Sequence, residues 1–185
     1  MQTSVDLQKL VLASLFAALT AVGALMAIPI GPVPIVLQNL FVMLMGLMLG
    51  PRWGLAGVSA YLLAGALGLP VFAGGTGGIA RFVGPTGGYL VGYLPSVVVI
   101  GWLSQGGKPR QVFDALAVVA GTLMLYLCGV SWLKMITGMT WGQSLMVGMV
   151  PFLPGDIAKM IAAVMMIGTL RGMVRTKSSA APQKA

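Results

Sequence analysis

Apolar residues fall along this chain in six long blocks, Leu10–Ile28, Pro34–Leu49, Trp53–Leu69, Pro85–Leu103, Val112–Leu133 and Asp156–Gly172. Glycine, proline and charge collect in the short stretches between them. Each block is near the length that crosses hydrocarbon as a helix, about 20 residues at about 1.5 Å of rise each. The pattern predicts an all-α integral membrane protein of six transmembrane helices over residues 10–172, with a short N-terminus, 1–9, and a basic tail, 173–185. The tail from Thr176 onward is Ser-, Ala- and Lys-rich, has nothing to bury, and is expected to be disordered. The first block outruns the 7–15 apolar residues of a signal peptide and leads straight into another, so it is expected to stay in the mature protein.

Composition agrees. The 185 residues are 58% hydrophobic and only 8% charged, against about 25% charged in an ordinary soluble domain. With six spans filling these residues, a second, soluble domain is not expected within them. Eleven Lys and Arg against three Asp and Glu give a net charge of +8. These cations are dispersed between the apolar runs rather than gathered on one face, which argues against nucleic acid and for topology signals. Lys9, Arg52, Lys108, Arg110, Arg171, Arg175, Lys177 and Lys184 fall on one side of the six-helix arrangement, and Arg81 and Lys134 on the other. Positive residues are retained inside, so both termini are expected in the cytoplasm, in a bacterial or archaeal plasma membrane. The single Cys128 cannot form an intramolecular disulfide, with no histidine a metal centre would lack its commonest ligand, and no cofactor is expected.

The connections on the outer side are long and poor in charge. One, Pro70 to Tyr89, is dense in glycine yet apolar; its glycines allow close backbone approach, its amides could turn toward a ligand, and Thr76 and Thr86 add hydroxyls. Packing and turn-making explain the same glycines without a ligand. Gly75-Thr76-Gly77-Gly78-Ile79-Ala80 matches a dinucleotide-binding spacing, but no strand precedes it and no acid follows about 20 residues on; a P-loop Gly-Lys-Ser/Thr is also missing. Neither nucleotide fold is predicted. In the other outer connection, Thr140-Trp141-Gly142-Gln143 fits a capping box opening a short surface helix through Leu145, Met146, Met149 and Val150, which Pro151 and Pro154 end.

Charge within hydrocarbon costs about 2.5–3.5 kcal/mol on the lenient insertion scale, so Asp156, Lys159 and Arg81 stand out. The i, i+3 spacing of Asp156 and Lys159 sets acid and amine on one helical face, where they can share a ligand or neutralise each other. A plainer account makes Asp156 a helix N-cap and lets Lys159 snorkel to the interface. Ala13, Ala17 and Ala21, flanked by Ser14 and Ala18, form a small-residue stripe that permits close approach of a partner helix or of the chain's own helices. Trp53, Trp102, Trp132 and Trp141 lie near span ends as interfacial anchors, and the fourteen methionines read as gap-fillers. An intramembrane hydrolase is disfavoured, because no histidine is present to activate a nucleophile and Lys159 has only Asp156 beside it.

Four segments carry a resemblance: Pro32-Val33-Pro34-Ile35-Val36-Leu37-Gln38, Gly68-Leu69-Pro70-Val71-Phe72-Ala73-Gly74-Gly75, Gly84-Pro85-Thr86-Gly87-Gly88-Tyr89-Leu90, and Pro151-Phe152-Leu153-Pro154-Gly155-Asp156 with Lys159. Together they resemble the BioY family, the biotin-specific substrate-binding (S) components of energy-coupling factor (ECF) transporters. The resemblance implies an S-component bundle with an outward-facing vitamin pocket and a docking face on the first helix, here Ala13, Ala17 and Ala21. It implies binding roles for Asp156, Lys159 and the glycine loop with Gly75 and Thr76, and partners in a membrane coupling subunit and ABC ATPases. A solitary transporter, or an S component for another small vitamin, is the alternative. From ligand chemistry, Asp156 suits the ureido N–H groups of biotin, Lys159 its carbonyl, and Asn39 either. Arg81 suits the carboxylate, because charge-assisted bonds are the stronger ones, and Phe72 and Tyr89 suit the walls of the ring.

Overall fold

The computed structural model describes residues 2–28, 32–105 and 110–179, with side chains from 6 to 172. Helix α1 covers Gln2–Leu25. A two-residue antiparallel ladder follows, β1 (Ala27–Ile28) against β2 (Ile35–Val36). Then come α2 (Gln38–Ala66), the short α3 (Ala80–Val83), α4 (Gly87–Leu103), α5 (Arg110–Thr137), α6 (Trp141–Gly148) and α7 (Leu153–Ser179). The all-helical reading stands, with two corrections at the first connection. The first helix stops before Ile28, and the second starts at Gln38, four residues after Pro34. Proline has no N–H to give and biases its predecessor toward extended backbone, which favours a ladder there over a helix.

Among the described residues four helices are long and apolar enough to cross a membrane, and α4 is a shorter apolar helix. The second and third blocks merge into the 29 residues of α2, broken at Gly50 with φ 75° and ψ −175°. That conformation is essentially reserved for glycine. The break is a reversal: a Cβ on Gly54 would stand 3.6 Å from the Cα of Gly46, whereas eight residues of straight helix span about 12 Å. Pro51 continues the second arm from its first turn, where its missing N–H is harmless. The two blocks are thus antiparallel arms folded back at Gly50, and Gly101 at the end of α4 lies against that corner.

Between α4 and α5, Gly88 meets Trp132 and the Cys128 carbonyl, Gly121 meets Ile100, and the Ser96 hydroxyl donates to the Gly121 carbonyl at 2.8 Å. Small residues here let backbones approach, as lipid-embedded helices require. Large side chains instead crowd the outer surface: Leu7, Leu10, Val11, Leu15 and Val22 of α1 and Leu116, Leu123 and Leu127 of α5 are all exposed. An exposed apolar girdle of this extent suits a lipid environment.

The alanine stripe of α1 turns mainly inward. Ala13 is 3% exposed with its carbonyl near Gly57, and Ala17 and Ala21 pack against the core. Trp132 is not a free interfacial anchor, because its indole N–H donates to the Gly84 carbonyl at 3.0 Å and ties the glycine loop to α5. The capping box of α6 is present, with Thr140 and Gln143 satisfying each other's amides. Pro154 does not end that helix; it sits in the first turn of α7, where proline is tolerated. Helix α7 runs to Ser179, into the stretch expected to be disordered, and 180–185, together with Lys108, lie outside the described residues.

Candidate functional site

Because α7 begins at Leu153, Asp156 lies inside its first turn rather than at the cap, where the helix dipole also favours a negative charge. Lys159, one turn on, meets it with Nζ 3.0 Å from Oδ1. Neither side chain reaches out to solvent, their exposures being 5% and 11%. The ammonium also donates to the Val36 carbonyl at 2.7 Å, which β2 presents sideways because the chain is not yet helical there. Snorkelling and capping therefore do not describe this pair.

Two other elements complete the cluster. Asn39, at the start of α2, donates from Nδ2 to Asp156 Oδ1 at 2.7 Å, and Tyr126, midway along α5, donates its hydroxyl to Oδ2 at 2.5 Å. The carboxylate thus accepts three bonds from three helices. Asn39 Oδ1 and the neighbouring Gln38 Nε2 are buried without a partner. An unsatisfied buried polar atom costs about 1–3 kcal/mol.

These residues line one cavity, in which about 130 Å³ is open to the centre of a water molecule, some tenfold what one water needs. Its apolar wall is Phe72, Tyr89, Leu90, Tyr93, Leu125 and Phe152. Phe72 is held edge-on between Tyr61 and Phe82, with ring centroids 5.6 Å from each. Tyr89 donates its hydroxyl to the Gly148 carbonyl at 2.6 Å and so presents only its ring. Thr76, Arg81 on α3 and Thr86 border the cavity from the glycine loop, and Arg81 is exposed.

The loop itself differs from expectation. Amides of Gly75 and Thr76 donate to the Phe72 carbonyl, that of Gly74 to Ala24 and that of Gly78 to Gly65. Positive φ at Gly74 and Gly75 closes this tight turn and directs those amides back into the chain. They do not face the cavity, and Gly75 stands toward Leu25 instead. Of the predicted site residues, Asp156, Lys159, Asn39, Arg81, Thr76, Tyr89 and Phe72 line the cavity and Gly75 does not. Tyr126, Tyr93, Gln38 and the Val36 carbonyl were missed. A tyrosine inside an apolar run, whose hydroxyl needs a partner when buried, was the available signal for Tyr126 and Tyr93.

A sequence model described as the BioY family matches residues 1–176. The chain is 44% identical to the probable biotin transporter BioY of Pyrococcus horikoshii, covering 87% of this chain and 94% of that one. It is 40% identical to the biotin transporter BioY of Thermotoga maritima, over 86% and 93%. Its fold matches the crystal structure of the S-component for biotin from an ECF-type ABC transporter, with a TM-score of 0.86, 32% identity, and coverage of 93% and 95%.

Proposed function

The chain belongs to the BioY family, and we propose that this membrane protein takes up biotin as the substrate-specific S subunit of an ECF-type transporter, binding the vitamin in the cavity beside Asp156. The observation that carries this reading is the three-donor carboxylate with its amine at one end of an apolar slot. Biotin has the complementary make-up: a cyclic urea with two N–H donors and one carbonyl, an apolar thiophane ring, and a carboxylate tail. Asp156 accepts from the ureido N–H groups, Lys159 donates to the carbonyl, and the unpaired Asn39 Oδ1 takes a further N–H. Phe72 and Tyr89 flank the ring, Thr76 borders it, and Arg81 meets the tail at the exposed mouth.

Uptake is energised by partners, a membrane coupling subunit and a pair of ABC ATPases, since this sequence carries no nucleotide-binding motif. Docking falls on α1, along Ala17 and Ala21 and the exposed face beside them, rather than on the buried Ala13. In this reading the two arms of α2, with α1, α4, α5 and α7, make six crossings, with both termini cytoplasmic and the pocket open to the outside. Isothermal titration of the purified full chain with biotin tests the assignment: saturable heat at one ligand per chain is expected, and no heat would overturn it.

A further inference from the structure

A second ion pair lies at the end of the bundle away from the pocket, its acid buried and its guanidinium partly so. Arg171 of α7 grips Asp114 of α5 through two bonds, Nη1 to Oδ2 at 2.5 Å and Nη2 to Oδ1 at 3.0 Å, and Nη2 also donates to the Leu47 carbonyl of α2 at 2.6 Å. Asp114 is 2% exposed in this pair. The arrangement repeats the pocket's own: acid, cation and a backbone carbonyl. It also joins the same three helices. Asn39 at the start of α2, Tyr126 midway along α5 and Asp156 in the first turn of α7 meet at the pocket, whereas Leu47 near the end of the first arm of α2, Asp114 near the start of α5 and Arg171 in the last third of α7 meet away from it. From Asp156 to Arg171 the helix rises about 22 Å.

Between the two nodes α5 and α7 leave an apolar groove on their outer side, lined by Val118, Ile157, Met160, Ile161 and Val164. An ion pair whose acid is buried is seldom the most stabilising choice for such a position, and its best-attested use is to select one geometry among several. We infer that Asp114 and Arg171 are positioning residues for ligand binding: by fixing the far ends of α2, α5 and α7 they hold Asn39, Tyr126 and Asp156 at the spacing the ligand requires. This rests on the cavity being the biotin site.

The test titrates biotin into detergent-purified full-length wild type, R171A, R171K, D156N and R171A/D156N, each with a thermal melt. R171A is expected to bind about tenfold more weakly than wild type, within the range found for coupling through packed networks. R171K keeps the charge but loses the two-pronged grip and is expected to fall between. In the D156N background the same R171A change is expected to cost less than about threefold, because the carboxylate that the clamp positions no longer carries its charge; sites this far apart that were uncoupled would simply add. Such a shortfall would not follow from general loosening of the bundle. R171A affinity within about twofold of wild type, or an equal penalty with and without Asp156, overturns the inference; if R171A does not fold, wild-type affinity in R171K does so. No heat with wild type removes the binding-site reading and the inference with it, whereas wild-type binding with unaltered clamp variants removes the inference alone.

Discussion

Replacing Asp156 by Asn separates charge from shape at the centre of the pocket. In the wild-type chain Oδ1 accepts from Asn39 at 2.7 Å and Lys159 at 3.0 Å, and Oδ2 from Tyr126 at 2.5 Å. An Asn with its oxygen toward Asn39 and Lys159 turns its NH₂ toward Tyr126, whose hydroxyl rotates to accept. The neutral network therefore survives and the charge does not. A hydrogen bond to a charged group is worth about 1.5–3 kcal/mol, so biotin affinity should fall about 10- to 150-fold. Lys159 is left buried without its counter-ion, and a lower melting temperature should accompany the loss. Titration calorimetry on protein of verified fold measures the first effect and a thermal melt the second. K159M and the double D156N/K159M close the cycle: if acid and amine serve only each other, the double variant should recover wild-type binding. D156N affinity within about twofold of wild type, or full recovery in the double variant, refutes a ligand role for the carboxylate.

Gly50→Ala should destabilise the bundle by about 1–3 kcal/mol, since φ 75° with ψ −175° strains any residue with a Cβ; the displaced neighbour is only the flexible Gln105 side chain, so an unchanged melt would show that the corner relaxes freely. Arg81→Ala should weaken biotin by about 0.2–1 kcal/mol, the worth of an exposed ion pair, and leave a biotin amide unaffected; equal losses for both ligands by titration would exclude a contact to the tail. Single cysteines at Gln105 and Thr137, in a chain lacking Cys128, should react with impermeant reagent from the cytoplasm and the outside respectively, and labelling of Thr137 from the cytoplasm would invert the orientation.

The membrane class, the helical character and the acid–amine pair were legible in the one-dimensional pattern because each rests on local arithmetic. Apolar block length sets a helix against the hydrocarbon thickness, and a spacing of three puts Asp156 and Lys159 one turn apart. The capping box at Thr140 is equally local. Asn39 stands 117 positions from Asp156 and Tyr126 stands 30, and no periodicity links such distant partners. The Val36 carbonyl entered the site because a helix failed to start, an outcome set by the ladder against Ala27. The glycine loop was recognisable as special, but whether its amides faced a ligand or the chain depended on where Phe72 anchored it. Arg171 read only as a topology signal and Asp114 did not stand out; only the packing of α5 against α7 and the first arm of α2 brought them within reach and buried the acid. Local spacing decides what each segment can form, whereas contacts between segments decide which polar groups must find partners, because burial is a property of the assembled bundle.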